Sequence, residues 1–168
     1  LLSDQLKDQV NPHILKEAQM IFKKTKTEKG TGSKRIRSTE ISMGEKILLL
    51  KEIDIFSGLS AAELAAIAAV TKELDFPENQ IVIHQDQVGE TVFLIIDGEV
   101  DVIKEQKDNT SIVLDQIRAG GAFGEMALID DAPRSATIKT VTPCRFLILH
   151  KQEFKETAME FPRISLQI

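Results

Sequence analysis

Residues 123–136 read FGEMALIDDAPRSA. Gly124 has no Cβ, so the backbone there can approach a ligand closely. Met126, Ala127, Leu128 and Ile129 suffice for roughly one helical turn. The start of such a turn presents N–H groups that lack intrahelical partners and favour an anion. Arg134 adds a planar fork of donors matched to phosphate oxygens. Glu125, when ionised, only accepts hydrogen bonds, so it suits a hydroxyl or an amine and not a phosphate. One segment thus combines an anion cradle, a cation and an acceptor for a sugar hydroxyl.

In its order of residues this segment resembles the phosphate-binding cassette of the cyclic nucleotide-binding domain family. The shared features are Phe123-Gly124-Glu125, the small Ala127, the apolar Leu128-Ile129, Pro133-Arg134, and then Ser135 and Ala136. The resemblance spans residues 45–165. It implies that Glu125 binds the ribose 2′-hydroxyl and Arg134 the exocyclic phosphate oxygens. Ser135 and the backbone amides of Gly124, Ala127 and Ala136 would complete the phosphate contacts. The candidate binding residues are therefore Phe123, Gly124, Glu125, Met126, Ala127, Arg134, Ser135 and Ala136, with no metal and no catalytic group.

Around the cassette the sequence alternates with a period of two. Expected strands are 81–85, 91–97, 99–104, 111–117, 135–141 and 145–150. Pro77, Asn79, Gly89, Gly98, Asn109, Gly120, Gly121 and Pro143 punctuate them. Short strands with glycine corners suit a double-sheet, jelly-roll-like β-roll. Asp86, Gly89, Phe93, Ile95 and Gly98 fall where the family places turn and core signals and are read as structural.

Ahead of the roll, residues 45–53 predict a short helix with Ile47, Leu50 and Ile53 on its apolar side. Phe56 and Leu59 are expected to cover one end of the core. Ser60 and Glu63 form a capping-box pattern, and the Ala-rich run behind them predicts helix to about residue 74. Behind the roll, helix resumes at Lys151, with Phe154 inward and an interruption at Pro162. The fold class is mainly β, with a small helical bundle before the roll and a C-terminal helix after it. In the family a further helix closes over the base. This chain ends at Ile168, about where that lid would begin, which puts base selectivity and tight affinity in question.

Three segments follow from this reading: an N-terminal helix over 1–24, the possible end of a preceding helical region; a basic flexible linker over 25–44; and the binding domain over 45–168. Residues 1–40 hold 9 Lys+Arg against 5 Asp+Glu, whereas residues 41–168 hold 12 against 21. The acidic body speaks against nucleic-acid binding by the roll. The basic run 23–37 is read as a solvated linker, with an acidic partner or lipid surface as its alternative. The chain begins at Leu1 without Met, which predicts a fragment or a processed product.

The single cysteine, Cys144, excludes an internal disulfide and any multi-cysteine metal site. His13, His84 and His150 share no metal-ligand spacing, and neither a Walker-type P-loop nor a Ser–His–Asp arrangement is legible. No run approaches membrane-spanning length, and the default setting is a reduced cytoplasm. The expected function is a non-catalytic regulatory module for a cyclic mononucleotide, cAMP before cGMP. The flanking helices would carry the signal to an effector domain outside this chain, with no cofactor besides the ligand. On guanine, a Thr after the arginine would favour cGMP in the family. Ser135 does so less well and matches bacterial cAMP sensors. The alternatives are an interaction module with an empty cassette and a sensor of another small effector. Composition and pattern give no reading of oligomeric state.

Overall fold

The structure is a computed structural model and describes residues 40–166. The expected N-terminal helix and nearly all of the expected linker lie outside those residues. The described chain opens with α1 (Met43–Lys51), which begins inside the span assigned to the linker. Ser42 caps it: the Glu45 amide donates to Ser42 Oγ at 3.2 Å and the Ser42 amide to Glu45 Oε2 at 2.7 Å. A 3-10 turn over Asp54–Phe56 leads to α2 (Ala61–Val70). The capping box read from Ser60 and Glu63 is present, with the Ser60 amide donating to Glu63 Oε2 at 2.7 Å. Leu50, Ile53, Phe56 and Leu59 are buried, but the expected helical side is incomplete: Ile47 is half-buried, and Ile53 lies past the end of α1 in extended backbone.

The roll consists of two antiparallel four-stranded sheets. Its strands are β1 (Lys72–Phe76), β2 (Ile81–Ile83), β3 (Thr91–Asp97), β4 (Glu99–Glu105), β5 (Ser111–Arg118), β6 (Ala122–Phe123), β7 (Thr137–Thr140) and β8 (Cys144–His150). One sheet runs β1-β8-β3-β6 and the other β2-β7-β4-β5. Residues 91–95 of β3 are all buried, and Val92–Ile95 are continuously apolar instead of alternating. Four phenylalanines fill the core. Phe93 stacks on Phe123 at 5.0 Å, and Phe146 meets Phe76, Phe93 and Phe123 edge-on at 5.5–5.8 Å.

Three expectations about elements need correction. Helix does not continue to residue 74. It stops at Val70, and Thr71 takes an extended conformation with its hydroxyl donating to the Ala68 carbonyl at 2.7 Å. Residues 72–76 become β1, in register with β8 through Leu74–Phe146 and Phe76–Cys144. Two β-branched residues end the alanine run, and pairing with a distant strand outweighs local helix propensity. An ion pair consolidates the register, with Arg145 Nε donating to Asp75 Oδ1 at 2.7 Å. Second, β7 begins at Thr137, so Ser135 and Ala136 belong to the cassette and not to the strand. Third, two helices follow the roll, α3 (Lys151–Glu160) and α4 (Pro162–Leu166). Pro162 opens the second, where its missing N–H costs nothing. Inward-facing Phe154 meets Phe56 at 5.9 Å and ties α3 to the turn after α1.

Candidate functional site

The cassette connects β6 to β7 and lies beside the start of β3. Phe123 ends β6 as part of the aromatic core, 5% exposed. Its place is beneath the segment, where it anchors the residue that follows. Gly124 has φ 78° and ψ 15°, a left-handed conformation that glycine adopts without strain. A Cβ there would meet the Arg134 guanidinium and lie 3.0 Å from the Thr91 carbonyl oxygen.

A 3-10 turn over Glu125–Leu128 follows, one residue earlier than the turn expected at Met126–Ile129. The Ala127 amide donates to the Gly124 carbonyl at 3.1 Å, so this amide is already engaged within the turn. Buried Ala127 and Leu128 hold the turn against the roll, whereas Met126 and Ile129 are exposed. Glu125 is half-buried.

Arg134 returns the chain to the same place from the far end of the cassette. Its main chain is gripped by the turn after β2. The Arg134 amide donates to the Gln87 carbonyl at 2.8 Å, and the Asp86 amide donates to the Arg134 carbonyl at 2.9 Å. Its side chain is only 8% exposed. Nη1 donates to the Gly124 carbonyl at 3.2 Å and Nη2 to the Thr91 carbonyl at 2.7 Å. Nε is buried without a hydrogen-bond partner. A guanidinium carries five N–H donors, so these bonds leave part of the fork unused. Burial pushes the guanidinium pKa down from its ordinary value, and the Glu125 carboxylate opposes that shift. Gly124, Glu125 and Arg134 are thereby brought together, as the order of residues implied. Ser135 is exposed, and its carbonyl accepts from Lys104 Nζ at 2.7 Å. Ala136 is buried beside it.

Gly89 and Thr91 are the site residues that sequence reasoning missed. Gly89 was read only as a turn signal, yet a Cβ at residue 89 would fall on the Arg134 guanidinium. Thr91 contributes its carbonyl to Arg134, and its hydroxyl pairs with His150 Nδ1 at 3.0 Å. The glycine in the turn before β3 was the available signal. What it faces depends on tertiary structure.

Cys144 is buried, and burial raises its thiol pKa. Among the described residues no group of three His, Cys, Asp or Glu side chains is placed to hold a metal ion. Among those residues, too, no helix is long and apolar enough to cross a membrane.

A sequence profile of the cyclic nucleotide-binding domain matches residues 73–161. The chain is 29% identical over 123 residues to a CRP-like cAMP-activated global transcriptional regulator of Mycobacterium tuberculosis, covering 71% of this chain and 54% of that protein. It is 32% identical over 105 residues to a cAMP-dependent protein kinase regulatory subunit of Mucor circinelloides, covering 62% and 24%. The chain spans about half or less of the length of these curated relatives. In fold it resembles the N-terminal domain of a transcriptional regulator from Streptomyces coelicolor, with a TM-score of 0.67 at 20% identity over 71% of this chain and 83% of that one. It also resembles the regulatory domain of Toxoplasma gondii PKA solved with cAMP, with a TM-score of 0.61 at 22% identity over 73% and 49%. The two antiparallel sheets, the flanking helices, the ordered cassette and the profile match agree: the chain belongs to the cyclic nucleotide-binding domain family.

Proposed function

We propose that the segment from Gly124 to Ala136 binds a cyclic mononucleotide, cAMP in preference to cGMP, and that the domain regulates an effector outside this chain. One observation carries the reading: the Arg134 guanidinium is buried with its Nε lacking an acceptor. An unpaired buried donor costs about 1–3 kcal/mol, and more when charged. A singly charged cyclic phosphodiester supplies the missing acceptor and offsets the buried charge without a metal. Glu125 takes the ribose 2′-hydroxyl, and Ser135 with the Ala136 amide adds donors to the phosphate. Binding, not catalysis, is the proposed role.

Two relatives whose names specify cAMP support the choice of adenine, as does Ser135 in place of threonine. The matched relatives also include a potassium channel, so the output is left to whatever effector the parent protein carries. Ligand acts by population shift: it draws the cassette inward and repositions the flanking helices, by no more than its differential affinity for the two states permits.

A second reading, an interaction module with an empty cassette, draws on the two carbonyls that already accept from Arg134. The orphaned Nε weighs against it. Calorimetric titration with cAMP and cGMP side by side separates the readings. Saturable binding with cAMP the tighter ligand is expected; no heat with either would leave the empty cassette.

A further inference from the structure

The far arm of the cassette, residues 129–133, is exposed. One of its residues is nevertheless bound to the first residue of α3. Lys151 Nζ donates to Asp131 Oδ1 at 2.6 Å. The two partners differ sharply in environment: the Lys151 side chain is 7% exposed and that of Asp131 is 84% exposed. A lysine this buried requires an acceptor, and the cassette arm provides it. The Lys151 main chain is held as well, its amide donating to the Glu90 carbonyl at 2.7 Å. Glu90 precedes Thr91, whose carbonyl receives Arg134 Nη2. The ammonium also keeps the Asp131 carboxyl below its ordinary pKa, first by its hydrogen bond and then by its charge, with Lys155 adding a smaller attraction.

We propose that Lys151 is a positioning residue for the nucleotide site. Acting through Asp131, it fixes the cassette's outer arm to the start of α3 and so preorganises the loop that ends at Arg134. The inference rests on the nucleotide reading given above. The physical reason is the cost of ordering: an arm already held in place loses less conformational freedom when ligand binds.

The test is a double-mutant cycle of cAMP affinity on the full chain, with Lys151→Met, Asp131→Asn and their combination, and with Lys151→Arg as the conservative variant. Methionine keeps the length of the buried stem, and Asp131 left alone is solvated, so Lys151→Met is expected to fold. Each single change should weaken cAMP binding about tenfold, the scale of one charge-assisted hydrogen bond. The double variant should be no weaker than either single one, and Lys151→Arg should recover most of the loss. In ligand-free protein, amide hydrogen exchange in Lys151→Met should quicken over residues 129–132 only. Uniform quickening across the roll would mean general destabilisation and would overturn the proposal. So would unchanged affinity in both single variants while the unaltered chain binds cAMP. An unaltered chain that binds neither cAMP nor cGMP would instead remove the nucleotide reading, and this proposal with it.

Discussion

Gly89 and Arg134 touch: the guanidinium occupies the space that a Cβ on residue 89 would need. The turn after β2 must therefore present a bare backbone so that the arginine can reach the Thr91 and Gly124 carbonyls. Gly89→Ala is expected to push the guanidinium away from the Thr91 and Gly124 carbonyls. Affinity for cAMP should fall at least about tenfold, since a displaced charge-assisted bond is worth about 1.5–3 kcal/mol. Calorimetry measures this, and an unaltered far-ultraviolet circular dichroism spectrum shows that the roll persists.

Arg134→Ala removes the proposed partner of the phosphate. Two charge-assisted bonds lost at about 1.5–3 kcal/mol each predict a loss of at least roughly a hundredfold. The roll is expected to remain folded. The substitution deprives two carbonyls of a donor but also removes a buried charge, and these effects oppose each other. Unchanged cAMP affinity in this variant would remove the assignment.

Glu125→Ala should weaken cAMP more than 2′-deoxy-cAMP, because the deoxy ligand lacks the hydroxyl that the carboxylate would accept from. Paired titrations of both ligands against both proteins give the comparison. Equal losses would argue against a ribose contact.

His150 joins β8 to α3 and bonds to the Thr91 hydroxyl. Burial lowers its pKa from the ordinary 6.5; Glu153 and Glu90 raise it, and Lys72 lowers it further. Because the folded value lies below the unfolded one, the unfolded chain takes up the proton first. The stability associated with neutral His150 is complete above about pH 6.5 and declines as pH falls through the folded value. The thermal unfolding midpoint should therefore drop between about pH 7.5 and 5.5. His150→Gln should flatten that drop. A midpoint with the same pH slope in both proteins would count against the buried neutral imidazole.

Local chemistry made much of this protein legible from its residues alone. The Ser60–Glu63 capping box is complete within four consecutive positions, so no distant partner was needed to read it. The bounds of β3 match the expectation, although Val92–Ile95 are continuously apolar and do not alternate as the period of two implied. The grouping of Gly124, Glu125 and Arg134 was implied by an ordered motif that takes only eleven residues from Gly124 to Arg134. What escaped depended on strands and side chains far apart in the chain. Residues 72–76 look like the tail of an alanine helix until β8 supplies a strand to pair with and Arg145 reaches Asp75 across 70 positions. The role of Gly89 appears only once Arg134 lies against it, and that of Lys151 only once Asp131 is within reach. Sequence determined the helix caps, several strand runs and the order of residues in the cassette, because those features rest on short-range sterics and hydrogen bonding. Tertiary structure decided how deeply the arginine is buried and what holds it, because burial and long-range pairing are properties of the packed whole.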